Sequence, residues 1–243
     1  MRGLGLVIAG VVIGLCAIAQ AETPQSGLVM QKLDGDRIVT IKDSRIALHG
    51  VRLVDEHADP SLYKDARQFI LKSLNGLPFV LKAEEFRKSG SLDNRYGDLQ
   101  GRIITSDGVW LEEALIAEGY GWWSGAPGYP LASRQRLIKA EKKAAERKVG
   151  LWRQFAVLDA NHPPKQYWNG QFIIAKGVVL DVYKGGSTTY LNFGEDWRTD
   201  FTAAISSSAW KKIERGDWKL ADLKSKSITV RGLVRFYNGP YME

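Results

Sequence analysis

The chain has almost no cysteine. Its single Cys16 lies in the opening apolar run, so everything after that run holds no thiol at all. Disulfides, a thiol nucleophile and a cysteine-based zinc site are therefore excluded from the body of the protein, which must hold together by hydrophobic burial. Histidine is nearly as scarce: His49, His162 and His57 are far too scattered to suggest a metal cluster. The loop "DEHAD" does offer Asp55, Glu56, His57 and Asp59 together, and a solvated acidic loop is the simpler reading of it. No internal repeat of 20–50 residues and no low-complexity tract is visible, which argues against a solenoid or a disordered chain. Long apolar runs are also missing beyond the first residues.

That first run is informative. Met1 and Arg2 supply a short basic start, Gly3 to Ile18 is uncharged, and Ala19-Gln20-Ala21 is a small-x-small pattern. Together they read as a secretory signal peptide over residues 1–21, shorter than the roughly 20 apolar residues of a spanning helix. A retained membrane anchor is the competing reading. Leu15 is too bulky before Cys16 for a lipoprotein. The expected location is therefore periplasmic or extracellular. The net charge of +7 suits a polyanionic partner, and it equally suits plain solubility.

"VMQKLDGDRIVTIKDSRIALHGVRLV" has the texture of short strands separated by the turns Asp34-Gly35-Asp36 and Lys42-Asp43-Ser44. Leu62, Ala66, Phe69, Ile70 and Leu74 recur at helical spacing from Ser61 to Leu74. A strand "LPFVLKAEEF", a polar loop "RKSGSLDNRYGDLQ", a strand "GRIITSDG" and a short helix "VWLEEALIAEGYG" follow. Leu131 to Lys148 is the longest helical pattern, with Leu137, Ala140 and Ala144 on one side and basic residues on the rest. The aperiodic "VLDANHPPKQYWNG" places a boundary within 155–168. Beyond it lie about five strands, with a helix at 207–214 between the third and fourth, the plan of an oligonucleotide/oligosaccharide-binding (OB) barrel.

The ordered set Asp34-Gly35-Asp36, "LHGVRLVD", a helix, "DNRYGD", "DGVWLEEALIAEGYG", a basic helix and "GLW" resembles the staphylococcal-nuclease (thermonuclease) family over roughly 27–156. The resemblance implies a mainly β fold with helices (α+β). It has a five-stranded OB-fold barrel of that type at 22–156, a linker at 157–168 and a second, smaller OB-like β-barrel at 169–243. The last rests on "TTYLNFG" and "VRGLVRFYNGP" and is similar to the extension of some secreted members.

Active members of that family bind one calcium ion and cut DNA or RNA. The resemblance implies two metal-ligating aspartates, a glutamate in the base position and two arginines at the phosphate. This combination orients a nucleophile and meets phosphoryl charge with a cation and guanidinium forks. Here the first metal aspartate is kept as Asp36. The first arginine position holds Ala47, and the second aspartate position holds Arg52. The glutamate is shortened to Asp55, and the second arginine is replaced by Asp98. An Arg52–Asp98 ion pair would neutralise the two reversals; solvent exposure of both is the alternative.

Arg45, two residues before Ala47, shares its strand face at about 6–7 Å displacement, and Arg37, Arg95 and Arg102 are neighbours in sequence. Any remaining catalysis would fall to Asp55, Arg45 and Arg102 with a metal at Asp36. No cofactor is expected otherwise. For nucleic-acid contact the candidates are Arg134, Lys139, Lys142 and Lys143 on the basic helix, Trp122 in the aromatic loop, and Arg198 in the second barrel. Tyr190, Phe193, Trp197 and Phe201 accompany Arg198, and about half of such rings must fill the barrel. Tyr167 and Trp168 are read as interdomain packing. Three functions stand. The first is a catalytically impaired, exported module binding single-stranded nucleic acid, another polyanion or a protein. The second is a calcium-dependent nuclease with a rearranged site. The third is a structural subunit partnered by an envelope protein.

Overall fold

The computed structural model describes residues 25–82, 94, 96–126, 129–163, 170–196, 198–212, 219–237 and 239–243. The segment read as a signal peptide, Arg95, Tyr167, Trp168 and Trp197 lie outside the described residues, as do parts of the polar loop, the linker and the expected 207–214 helix.

The chain opens with β1 (Gln25–Asp34), whose two halves serve different partners. Its second half forms a hairpin with β2 (Arg37–Thr40) across Gly35 and Asp36, where Gly35 takes a positive φ of 56°. Glycine at the first central position of a two-residue hairpin loop meets the demand of the strand twist. β3 (Arg45–Ala47) continues the meander, and the short β4 (Val51–Leu53) leaves it. The helix α1 (Pro60–Leu74) starts where its residues dictate. The Asp59 carboxylate accepts from the Leu62 N–H at 2.9 Å, and Pro60 occupies the first turn. Ala66, Ile70 and Leu74, four residues apart, are its buried stripe.

β5 (Pro78–Lys82) pairs with the first half of β1. β6 (Leu99–Gln100) lies parallel to β3, and β7 (Arg102–Ile104) lies antiparallel to β5. The sheet order is therefore β6-β3-β2-β1-β5-β7, and its two end strands are separated in sequence only by Gly101. A side chain at Gly101 would put a Cβ 2.5 Å from the Lys82 carbonyl oxygen. The result is an OB-like, curled six-stranded half-barrel, not a hydrogen-bonded closed barrel of five strands. The extra strand is β6, which lies in the segment read as a polar loop. Ile38, Ile46, Phe79, Leu81 and Ile103 fill its interior against Ile70, Leu111 and Leu115.

α2 (Leu111–Ala117), β8 (Gly121–Trp123) and α3 (Leu131–Arg147) complete this part, with β8 paired to β4. Lys148 ends α3 in the left-handed region, and a short 3-10 turn (Gly150–Arg153) follows.

The remaining strands are β9 (Leu158–Asp159), β10 (Phe172–Val178), β11 (Asp181–Gly185), β12 (Thr188–Asn192), β13 (Thr202–Ser206), β14 (Ser227–Tyr237) and β15 (Gly239–Met242), with α4 (Ser207–Lys212) after β13. They form one open sheet of seven strands, β11-β12-β13-β15-β14-β10-β9. It is larger than the first sheet, contrary to the expectation of a smaller barrel. β9, inside the segment read as linker, is recruited by β10 in parallel. Phe193, Phe201, Leu191, Val234 and Met242 pack its core.

A third cluster joins the two sheets: Trp122, Trp152 and Ile174, flanked by Phe155 and Phe172. The Trp122 ring lies 5.1 Å from Phe155 and 5.3 Å from Phe172. Beside them Arg231 of β14 donates through Nη1 to the Trp123 carbonyl at 2.9 Å and to both Glu141 carboxylate oxygens at 3.1 and 3.0 Å. Glu141 also accepts from the Trp123 N–H at 2.9 Å. Burial pushes the Glu141 carboxyl pKa up, against the pull of Arg231.

Candidate functional site

The turn β1–β2, the end of β3 and strand β4 converge on a cleft of about 510 Å³ lined by Asp36, Ala47, His49, Arg52, Phe172 and Leu233 among others. The first sheet and the β4–β8 pair contribute the residues singled out in the sequence, and the second sheet supplies the opposite wall. Arg52 projects from β4 with its guanidinium carbon 5.6 Å from the centre of the Phe172 ring, a cation–π distance. The expected Arg52–Asp98 pair does not form, because Arg52 is engaged by the second sheet and Asp98 has other partners.

Asp98 sits just before β6, its side chain 1% exposed. Arg37 Nε donates to its Oδ2 at 2.8 Å, and Arg45 Nε stands 3.1 Å from its Oδ1. Asn94 holds the loop: its Oδ1 accepts from the N–H groups of Tyr96 and Asp98 at 2.8 and 3.1 Å, and its own N–H donates to the Asp98 carbonyl. An Asx turn of this kind aims the carboxylate inward. The bond from Arg37 holds the Asp98 carboxyl below the ordinary range and raises the Arg37 pKa in turn. A charge-assisted bond does both at once.

Asp36 lies in the cleft and accepts from the Tyr63 hydroxyl at 2.9 Å. Burial first, and then Asp36, push the Tyr63 phenol pKa up, so the hydroxyl keeps its proton. Asp55 lines no part of this cleft. It is largely exposed, and its Oδ1 accepts from the His57 N–H at 2.8 Å, the main cause of its lowered pKa. Arg102 points away: its guanidinium carbon is 4.6 Å from the Trp110 ring centre, and Nη2 donates to Ser133 Oγ at 3.1 Å. The structure thus brings Asp36, Arg37, Ala47 and Arg52 to one cleft; Asp55, Arg45 and Arg102 do not line it, and Arg45 meets Arg37 at Asp98.

Calcium takes roughly six to eight oxygen ligands. The cleft offers Asp36, already bonded to Tyr63, beside the cationic Arg52. Among the described residues no group of three or more His, Cys, Asp or Glu is placed to hold a metal ion. These residues do not fit a calcium ion.

On α3, Lys139, Lys142 and Lys143 are exposed, Lys142 standing 3.8 Å from Glu146, and Arg134 is half-buried. Arg136 instead pairs with Glu113 and lies over Trp110. Arg198 is exposed in the loop after β12, where its N–H donates to Asp196. Trp122 is not the surface ring expected of the aromatic loop. Alternation along β8 and the second sheet's approach bury it to 8% exposure. His49 stacks on Tyr129 at 5.0 Å, and the Tyr129 hydroxyl donates to the His49 carbonyl at 2.8 Å, a packing role.

Phe172 and Arg231 carry the seam and were not singled out in the sequence. Arg231 sits in "ITVRGLV" as one basic residue within an apolar run, which is the signal a buried ion pair leaves.

A curled sheet bent about β1, with a capped helix following the third and fourth strands, defines an OB-fold protein domain. Residues 45–154 match the family described as Staphylococcal nuclease homologue, so an SNase-like OB-fold domain with an additional β-rich region is present. The match begins in β3 and excludes the β1–β2 hairpin, whose turn carries Asp36. Among curated proteins none matches this chain.

Proposed function

We propose that the protein is a nuclease-derived binding module, catalytically impaired, that holds single-stranded nucleic acid or another polyanion on the exposed lysines of α3. One observation carries this reading: Asp98, in the position where the family resemblance calls for a phosphate-binding arginine, is itself clasped by Arg37 and Arg45. A tethered carboxylate takes the guanidinium contacts that a phosphate would seek, and it repels an arriving phosphate. Arg45 is held at Asp98 and Arg102 at Trp110 and Ser133, which supports the loss of the fork. The fold supports binding, since OB-like sheets present surfaces for extended ligands. Export by residues 1–21 belongs to the same proposal.

The test incubates the purified chain with single-stranded DNA and RNA, with calcium and with chelator, and follows both cleavage and binding against salt. The expected result is no cleavage in either condition and binding that weakens steeply as salt rises. Calcium-dependent turnover abolished by Asp36→Ala would overturn impairment. Absence of any salt-dependent binding would overturn the polyanion partner and favour a protein of the envelope.

A further inference from the structure

The second sheet has two faces of opposite character. Val182, Leu191, Ala203, Val234 and Met242 belong to its core. Strand alternation turns the residues between them to the other side. There Asp181, Tyr183, Tyr190, Asn192, Thr202 and Tyr241 line a groove of about 590 Å³. The register sets them in two rows. Asp181 faces Asn192, Asn192 faces Thr202, Thr202 faces Tyr241, and Tyr183 faces Tyr190.

The rings form a platform. Tyr183 and Tyr190 have centroids 6.2 Å apart and planes at 28°. Gly185 makes room for them: a Cβ there would lie 3.1 Å from the Tyr190 ring and 3.3 Å from the Tyr183 ring. Tyr183 is 61% exposed, so its ring face is open to a ligand.

The polar atoms are arranged at the groove's floor and edge. Thr202 Oγ1 donates to Asn192 Oδ1 at 3.2 Å, which leaves the Asn192 amide hydrogens to be offered outward. Among the described residues those amide hydrogens and the three phenol hydroxyls make no hydrogen bond.

The one charge in the groove is neutralised. Lys224 Nζ bonds the Asp181 carboxylate at 2.9 Å, and Arg235 stands opposite Tyr241 in the register but lines no part of the groove. A nucleic-acid strand needs a cationic track beside its stacking rings. This lining holds one carboxylate and no cation. An uncharged ligand with flat apolar ring faces and a rim of hydroxyls satisfies both the rings and the unpaired donors and acceptors.

We propose that this groove binds an uncharged oligosaccharide, its sugar rings lying on Tyr183, Tyr190 and Tyr241 and its hydroxyls meeting Asn192 and Asp181. The site is independent of the α3 lysines and stands or falls separately from polyanion binding there.

The experiment titrates the full chain with cellohexaose, maltohexaose and the β-1,4-linked N-acetylglucosamine hexamer, by calorimetry and by tyrosine-ring NMR shifts, with a thymidine octamer as the charged comparison. At least one saccharide is expected to bind, with affinity indifferent to salt and with shifts centred on the three tyrosines. Tyr183→Ala and Tyr190→Ala should each weaken it by about tenfold. The exposed Tyr183 can be truncated without touching the core, so an unchanged melting temperature shows that the loss is local. Failure of all three saccharides, binding untouched by both variants, or a salt-dependent octamer seated on the same tyrosines would overturn the proposal.

Discussion

Arg37 Nε stands 2.8 Å from the Asp98 carboxylate, and Arg45 approaches the other oxygen, so one buried anion serves two guanidiniums that are themselves 40% and 50% exposed. Replacing Asp98 by Asn removes the charge and keeps the shape. Both arginines reach water and can be re-solvated, so the expected loss of stability is modest, about 1–2 kcal/mol by urea denaturation. The same variant frees two cationic forks. Its affinity for single-stranded DNA, followed by fluorescence anisotropy, should therefore rise. An unchanged or weaker affinity would count against a carboxylate that stands in for phosphate.

Two carboxylates pull the acid stability profile in opposite directions. The folded pKa of Asp98 is lowered, so its contribution is full above the unfolded value of about 3.9 and is lost as pH falls through the folded value. That of Glu141 is raised, so its contribution is full below its unfolded value and declines as pH rises through the folded one. Asp98→Asn should flatten the acid limb of stability against pH. Glu141→Gln should remove the decline on the side above pH about 4.3. Denaturant midpoints measured from roughly two pH units below to three above the reference values of about 3.9 and 4.3 decide whether the two changes have opposite sign.

Arg231 ties the second sheet to the first. Its side chain is 17% exposed and that of Glu141 only 7%, so Arg231→Met strands a buried carboxylate. The expected cost is about 3–5 kcal/mol, with melting that separates into two steps. Adding Glu141→Gln should recover a large part of it, because the stranded charge is gone. A double variant no more stable than Arg231→Met would show that packing at Trp122 and Phe172, not the ion pair, holds the seam.

Gly101 keeps the ends of the first sheet together. Gly101→Ala would press a methyl group against the Lys82 carbonyl, a backbone atom that cannot swing aside. About 1–3 kcal/mol of destabilisation is expected from such overpacking. Gly108, where a Cβ would meet nothing within 4 Å but φ is positive, is the control for backbone strain alone.

Local order was legible in the residues, and long-range pairing was not. The helical stripe Ala66, Ile70 and Leu74 and the stop near Asn75-Gly76 announce α1 to within a residue. The turn Asp34-Gly35-Asp36 announces the first hairpin. Asp98, by contrast, finds Arg37 across 61 positions, and nothing in "RYGD" names that partner. Trp122 and Trp123 stand side by side in a Gly-rich segment that reads as a loop. Only the pairing of β4 with β8 reveals that both are buried. In the second sheet Phe193 and Phe201 were singled out with Tyr190, yet they lie in the core, whereas the groove's Tyr183 and Tyr241 went unmarked. Alternation in "DVYKG" and "TTYLN" carried that distinction, but its sense depends on which face the rest of the sheet buries.

The lysines of α3 supply the most direct measure of the proposed function. Lys139, Lys142 and Lys143 are exposed and project from a helix whose other side is anchored by Leu137, Ala140 and Ala144. Changing all three to glutamine leaves that buried stripe intact, so stability should move by less than about 0.5 kcal/mol each, as for ordinary surface changes. Binding to a single strand should fall more at low salt than at high. For three lost phosphate contacts the slope of log K against log salt should shrink by about 2, since each contact on a single strand contributes about 0.7. A weaker affinity with an unchanged slope would mean that the lysines do not touch phosphates, and would move the polyanion surface elsewhere on the protein.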